Sequence, residues 1–446
     1  MSLHRHLLAR AEAGQPIRVG MIGAGKFGSM YLAQAGRTEG IHILGLADLS
    51  RARAAATLSL GGWPEERFDA ADLPTALTSG KTHLTEDSMA LIGFPGLEVL
   101  IEATGDPAVG IRHALAAIDH GVHVVMVNVE ADALAGPLLA AKAAAAGVVY
   151  SLAWGDQPAL ICEHVDWART CGFEVVTAGK GTRYHPSFHQ LTPDTVWDEL
   201  EKYLDITDRS MINPKMFNSF LDGTKSGIEM TAVCNATGLV PQPDGLTFPP
   251  ASRFELAELL KPTAAGGQVS HAGTTEVTSS LTRQGGDVSH HLSMGTFVVI
   301  RGDSDYVRHC FGEYHMLADS SGEYASLYRP THMIGLELGQ SVASVALRRE
   351  PTGAAIGFHS DVVATAKRAL KTGEILDGEG GQCVWGRQAP AAASLAAGYL
   401  PIGLAQNVKL QRDVAAGQIL TRADVVLDEA ALEVRFRAEM ETQFAC

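Results

Sequence analysis

The stretch I-R-V-G-M-I-G-A-G-K-F-G, Ile17 to Gly28, decides how the rest of the chain reads. Val19 to Ile22 is a short apolar run of the kind that forms a buried strand. Gly23, Gly25 and Gly28 follow it with G-x-G-x-x-G spacing. Each glycine answers a separate need at a pyrophosphate: a tight turn, approach of backbone N–H groups to the anion, and close packing of the next helix on the strand. Alone the motif is weak, because a Gly-rich turn without nucleotide has the same letters. Context strengthens it. A second apolar run, Ile41 to Ala47, ends in Asp48, about 20 positions beyond the last glycine, where a Rossmann unit places the acid that meets the adenosine ribose. The spacing predicts an α/β, doubly wound domain with Gly23, Gly25, Lys26, Phe27, Gly28, Asp48 and Arg51 as cofactor contacts.

Strand and helix signals continue to alternate downstream. Val99 to Ala103 is a buried strand that runs into E-A-T-G-D-P, followed by a helix from Val109 to His120. Val122 to Val127 repeats the pattern, and an Ala-rich helix, Leu134 to Ala146, leads to a strand at Val148 to Ala153. In such a sheet ligands bind beyond the carboxyl ends of the strands. Thr104, Gly105 and Asn128 are therefore cofactor candidates, and Glu130 and Asp132 are catalytic ones. Helix capping is the competing reading for Asn128, Glu130 and Asp132.

A chain of 446 residues suggests two or three domains, and 46% hydrophobic with 19% charged residues is the balance of a folded globular protein. The formal charge of -15 argues against nucleic acid or an acidic membrane as partner, while leaving room for a local basic pocket. The six cysteines, Cys162, Cys171, Cys234, Cys310, Cys383 and Cys446, lack C-x-x-C spacing, so neither a disulfide framework nor a thiolate metal site is indicated. The opening M-S-L-H-R-H-L-L-A-R-A-E has no signal-like apolar core and reads as a short amphipathic helix. No run approaches the roughly 18 apolar residues of a membrane span. A reducing cytoplasm is the expected location.

Boundaries fall near residues 155 and 350, giving a dinucleotide-binding domain 1–155, a catalytic domain 156–350 and a small β-rich domain with tail, 351–446. The catalytic domain opens on Asp156 and Gln157, which are substrate candidates. Its first strand, Phe173 to Ala178, ends in G-K-G-T-R-Y-H, where Lys180 and Arg183 on a flexible loop would make an anion cradle unless this is an ordinary basic loop. Asn213-Pro214 starts a helix carrying Lys215, Asn218, Asp222, Lys225 and Glu229 at intervals of three and four, one polar stripe that faces either solvent or a cleft. The wide apolar remainder of that helix favours the cleft. Lys225, Lys180 and Asp222 are catalytic candidates; Arg183, Lys215, Asn218 and Arg329 are substrate candidates. A helix at about Met333 to Leu347 is long enough to return to the first domain. Arg368, Leu370, Gly373, Ile375 and Leu376 match Arg412, Val414, Gly417, Ile419 and Leu420 at constant offset, a duplicated unit of strand, Gly turn and strand.

The Gly loop, V-N-V-E-A-D (Val127 to Asp132), G-D-Q-P-A-L (Gly155 to Leu160), N-P-K-M-F-N-S-F-L-D-G-T-K and the terminal repeat together resemble homoserine-dehydrogenase-like oxidoreductases that end in a SAF domain. Within them the chain is most similar to the 1-deoxy-D-xylulose 5-phosphate reductoisomerase-like (DRL) enzymes. Homoserine dehydrogenases carry an Asn-Lys pair after the fourth or fifth strand, whereas Asn128 is followed here by Val129, a departure from simple homoserine oxidation. The resemblance implies NADPH as cofactor, with NADH as the variant that Asp48 alone would favour, and a small phosphorylated ketose rearranged and reduced to 2-C-methyl-D-erythritol 4-phosphate. It also implies a homodimer or homotetramer, and for Lys225 a substrate-handling role beside the Gly-Thr pair. Glu130 and Asp132 could hold substrate hydroxyls or a divalent ion such as magnesium or manganese, although carboxylates at a strand end are not a metal signature. A plain dehydrogenase of a small carbonyl compound and a non-catalytic nucleotide-sensing regulator are the two other classes compatible with the residues.

Overall fold

The computed structural model describes residues 2–206, 209 and 212–444, and Cys446 lies outside them. The chain divides into two compact units, residues 1–160 with 332–356, and residues 161–331 with 357–446.

The first unit is built on six parallel strands, β1 (Ile17–Ile22), β2 (Ile41–Ala47), β3 (His83–Thr85), β4 (Val99–Glu102), β5 (His123–Met126) and β6 (Tyr150–Leu152), in the order β3-β2-β1-β4-β5-β6. Because helices cover both faces of an all-parallel sheet, its strands read as continuous apolar runs rather than alternating ones. All four residues of β4 are buried, as are all four of β5. The order reverses between β1 and β4, which opens a crevice at their carboxyl ends. The helix Lys26–Ala35 follows β1 directly. A helix at Gly339–Arg348 returns to this sheet and adds Leu338, Val342 and Val345 to its core. It starts six residues later than the sequence pattern predicts.

The second unit holds a five-stranded mixed sheet, β7 (Glu174–Thr182), β8 (Thr274–Ser279), β9 (Thr296–Arg301), β10 (Leu317–Ala318) and β11 (Tyr324–Arg329), in the order β10-β11-β9-β7-β8. Strand β7 does not stop at Ala178. It continues through Gly179, Lys180 and Gly181, so the expected flexible cradle is an inner strand, and a Cβ at Gly179 or Gly181 would strike the carbonyl oxygen of Glu276 or Leu292.

The helix expected to run on from Pro214 is two helices, Pro214–Leu221 and Thr224–Thr237, broken at Asp222 and Gly223, where Gly223 takes φ +92°. Asp-Gly is a turn pair for this reason: glycine adopts positive φ without a Cβ clash. The second helix is buried almost all round; among its 14 residues only Lys225 and Ala236 keep partial exposure.

The C-terminal segment adds β12 (Ser360–Ala366) paired with β14 (Val384–Pro390), and β13 (Ile375–Asp377), β15 (Gln406–Leu410) and β16 (Val425–Val426) in a three-stranded sheet. The two repeat copies pair with each other: Leu370 and Val414 exchange backbone hydrogen bonds of 2.9 and 3.0 Å, and Gly373 and Gly417 both turn at positive φ.

Candidate functional site

In the first unit the loop after β1 is shaped as a phosphate cradle. Gly23 has φ +102°, and a Cβ there would lie 2.5 Å from the carbonyl oxygen of Ala103; a Cβ at Gly28 would lie 2.6 Å from that of Gly23. Gly25 differs, since nothing stands within 4 Å of its missing Cβ. It also starts the helix Lys26–Ala35 without a side-chain cap, leaving first-turn N–H groups and the positive end of the helix dipole for an anion. Tight turn, open approach and close packing fall on the three glycines in the order a dinucleotide requires, so these residues fit the cofactor. Lys26 is exposed and Phe27 half-buried beside this opening.

Asp48 is engaged on both oxygens. It accepts from the backbone N–H of Ala24 at 2.8 Å and of Ser50 at 3.1 Å, and pairs with Arg53 at 2.5 Å. The acid thus pins the Gly loop, and the Arg53 guanidinium offsets its charge. Arg51 is exposed, its N–H donating to Glu86 at 3.2 Å.

A buried polar network supports the ends of β4 and β5. Glu102, fully buried, accepts from the Thr104 hydroxyl at 2.5 Å and contacts His113 Nδ1 at 3.3 Å; Ser88 meets the other ring nitrogen at 3.0 Å. Asn128 donates to Asp106 O at 2.8 Å and to Thr104 Oγ1 at 3.3 Å, while its own side-chain oxygen caps the helix Val129–Ala145 by accepting from Ala131. That helix begins five residues earlier than expected, so Asn128 is its cap and Glu130 and Asp132 sit in its first turn. Thr104 and Gly105 remain exposed at the strand end. Glu102 carries a signal that the sequence reading missed: it is the charged residue closing the otherwise apolar run V-L-I-E.

Asp132 is buried and accepts from the Tyr150 hydroxyl at 2.9 Å; burial pushes its carboxyl up to about 7. Among the described residues no group of three His, Cys, Asp or Glu side chains could hold a divalent ion. Unfolded, the same carboxyl ionises near 3.9. Its contribution to stability is therefore fully present below about pH 4 and lost as pH rises through 7. Asp132→Asn should leave the melting temperature near that of the parent at pH 5 and raise it by a few degrees at pH 8, measured by thermal unfolding. Equal shifts at both pH values would contradict this assignment. Asp156 and Gln157 are buried at the start of the helix Gln157–Thr170, with Asp156 accepting from the Gln157 N–H at 2.9 Å.

The polar stripe of the second unit is divided between two tasks. Asn218 donates to Gly380 O at 2.9 Å and Leu191 O at 3.0 Å, Lys215 donates to Asp377 O, and Asp222 pairs with Lys367 at 2.7 Å, both side chains almost wholly buried. Asn218 and Lys215 fasten the segment 377–381, and Asp222 holds Lys367, which donates to Gly381 O at 2.8 Å. Lys180 on β7 forms a buried ion pair with Glu229. Lys225 lies near Glu229 in helical phase and is half-buried. Arg183 is half-buried, 3.4 Å from Asp287 with its guanidinium over the Tyr203 ring, and Arg329 donates to Thr331 O at 3.1 Å.

Residues 155–338 match the sequence family described as oxidoreductase DRL, catalytic domain. The matched segment is similar to that catalytic domain. No curated protein matches the sequence. Among solved structures, an NAD-binding oxidoreductase from Klebsiella pneumoniae is 20% identical over 40% of this chain and 45% of its own, with a TM-score of 0.28. Myo-inositol dehydrogenase from Lactobacillus casei, solved with NAD(H) and myo-inositol, is 14% identical over 42% and 53% at 0.29. Biliverdin reductase from Synechocystis, solved with biliverdin and NADP+, is 18% identical over 43% and 58% at 0.25. The chain thus spans about half the length of these three solved relatives.

Among the described residues no helix is long and apolar enough to cross a membrane. Cys162, Cys171, Cys234, Cys310 and Cys383 are unbridged.

Proposed function

We propose that the protein is an NADPH-dependent reductoisomerase that converts 1-deoxy-D-xylulose 5-phosphate to 2-C-methyl-D-erythritol 4-phosphate for isoprenoid synthesis, working as a cytoplasmic homodimer or homotetramer. The match of residues 155–338 to the DRL catalytic domain carries this reading. The bound nicotinamide supplies a hydride for the reduction. The chain's own residues hold the dinucleotide through Gly23, Gly25 and Gly28, and Lys225 stabilises the negative charge that builds on the carbonyl oxygen as it is reduced. Arg183 anchors the phosphate, for which its planar fork suits better than an ammonium.

The choice of NADPH is supported by the Asp48–Arg53 pair, which offsets the carboxylate that would repel a 2'-phosphate, and by exposed Arg51 close by in sequence. Arg51→Ala should weaken NADPH about tenfold while changing NADH little, as read from dissociation constants for the two. Parallel changes would remove Arg51 from phosphate recognition.

One observation favours a second reading, a dehydrogenase of a homoserine-like or other small hydroxy or aldehyde compound without a phosphate. Two of the cations expected around a phosphate are committed elsewhere, Lys180 to Glu229 and Lys215 to a backbone carbonyl. Assays of NADPH oxidation with deoxyxylulose phosphate and of NADP+ reduction with homoserine separate the readings. Turnover with the first alone is expected; turnover with homoserine alone overturns the proposal.

A further inference from the structure

Two hydrogen-bond chains in the first unit end on one carboxylate. In the first, Asn128 Nδ2 donates to the Thr104 hydroxyl at 3.3 Å, and that hydroxyl donates to Glu102 Oε1 at 2.5 Å. In the second, the Ser88 hydroxyl lies 3.0 Å from His113 Nε2, and His113 Nδ1 lies 3.3 Å from the same Glu102 oxygen. The Thr104 N–H adds a third donor at 3.3 Å. With Ser88 donating to Nε2, the imidazole carries its proton on Nδ1 and serves Glu102 as a neutral donor. The other oxygen, Oε2, is buried with no hydrogen-bond partner, so a proton placed there would find no acceptor. Convergent donors and no acceptor suit an ionised carboxylate.

That charge lacks a strong counter-ion. Glu102 is wholly buried, and among the described residues no lysine or arginine pairs with it. A buried charge is screened far less than one on the surface, so its field reaches further.

Its place in the fold is beside the phosphate cradle. Glu102 ends β4 in register with Ile22, the residue before Gly23. The next two residues wall the loop: a Cβ at Gly23 would lie 2.5 Å from Ala103 O and 3.3 Å from Thr104 N. Gly105 then turns at φ +75°, with nothing within 4 Å of where a Cβ would stand, so the strand end is open to a ligand. Asp48, directly after β2, marks the adenosine side of the crevice, which leaves the side of β4 and β5 for the nicotinamide half.

The two forms of that half differ in charge: the oxidised ring is cationic and the reduced ring neutral. We propose that Glu102 sets the balance between them, favouring bound NADP+ over bound NADPH and so making the reduced cofactor a stronger hydride donor in the site. The inference rests on the nicotinamide part of the proposed function and needs no particular substrate. Ser88, His113 and Asn128 act through Glu102 as positioning residues.

The test compares dissociation constants of NADP+ and NADPH for the full-length parent and for Glu102→Gln, without substrate. NADPH is titrated by fluorescence and NADP+ by its displacement. Glutamine keeps the shape and an acceptor oxygen but removes the charge. In the variant, NADP+ binding is expected to weaken about fivefold relative to NADPH. Thr104→Val disturbs the same strand end and keeps the charge, so it should weaken both forms alike. If a melting curve shows that Glu102→Gln does not fold, Glu102→Met carries the same expectation, with an apolar chain of similar length in the buried position. An unchanged ratio in a folded variant that binds both forms, or the same shift of ratio in Thr104→Val, overturns the proposal and leaves the dinucleotide site standing. Failure of the parent to bind either form overturns the cofactor reading and this proposal with it.

Discussion

Gly25→Leu should raise the dissociation constant for NADPH about a hundredfold while leaving the ligand-free protein as stable as its parent. The reason lies in the difference between the three loop glycines. At Gly25 the backbone is extended, with φ -74°, and the space a side chain would fill is open, so leucine meets no strain or clash until the cofactor arrives. Its side chain would then occupy the approach that the pyrophosphate needs. Gly23→Ala is the contrasting variant. Positive φ and a 2.5 Å contact with Ala103 O make that change costly in the folded chain itself, so thermal unfolding should shift even without cofactor. Fluorescence titration with NADPH and a melting curve on each variant check both statements. Normal NADPH affinity in Gly25→Leu would show that the loop does not hold the pyrophosphate.

Lys225→Met should lower the turnover number by about a hundred- to a thousandfold with little change in the Michaelis constant for the carbonyl substrate. An interaction with charge that develops only in the transition state affects the rate and not ground-state binding. Lys225 is singled out by its place: it keeps partial exposure on a helix otherwise buried nearly all round. Methionine preserves the length and apolar body of the side chain, so the fold and NADPH binding should persist. Full turnover by this variant would remove Lys225 from the mechanism.

The first unit was largely legible in sequence because its determinants are local. Three glycines at fixed spacing, an apolar run before them and an acid after the next strand are each readable from a few neighbouring residues, and the sheet order follows from the strand–helix alternation. Even there, the partners of Asp48 were not. Its pairing with Arg53 depends on how the turn into the helix Arg51–Leu60 folds back, and its bond to Ala24 makes the acid a brace for the loop as well.

The second unit was harder because its contacts join residues far apart in the chain. Lys215, Asn218 and Asp222 have the spacing of a ligand-facing stripe, yet what they hold is the segment 377–381 and Lys367, more than 140 positions away. No periodicity reveals such a partner. The extension of β7 through G-K-G-T was hidden by glycines that look like a loop, although here they permit backbone to pass close to Glu276 and Leu292. The helix break was readable in retrospect, since Asp222-Gly223 is a turn pair, but the polar spacing on either side suggested continuity.

The reductoisomerase reading claims two events on one substrate, a migration within the carbon skeleton and a hydride transfer. The most direct measurement supplies 1-deoxy-D-xylulose 5-phosphate with NADPH deuterated at the transferable position and identifies the product by NMR and mass spectrometry. The account predicts a branched methylerythritol phosphate carrying one deuterium on the carbon that was reduced. Deuterium in an unbranched polyol phosphate, or none transferred while another small carbonyl compound is reduced, would contradict it.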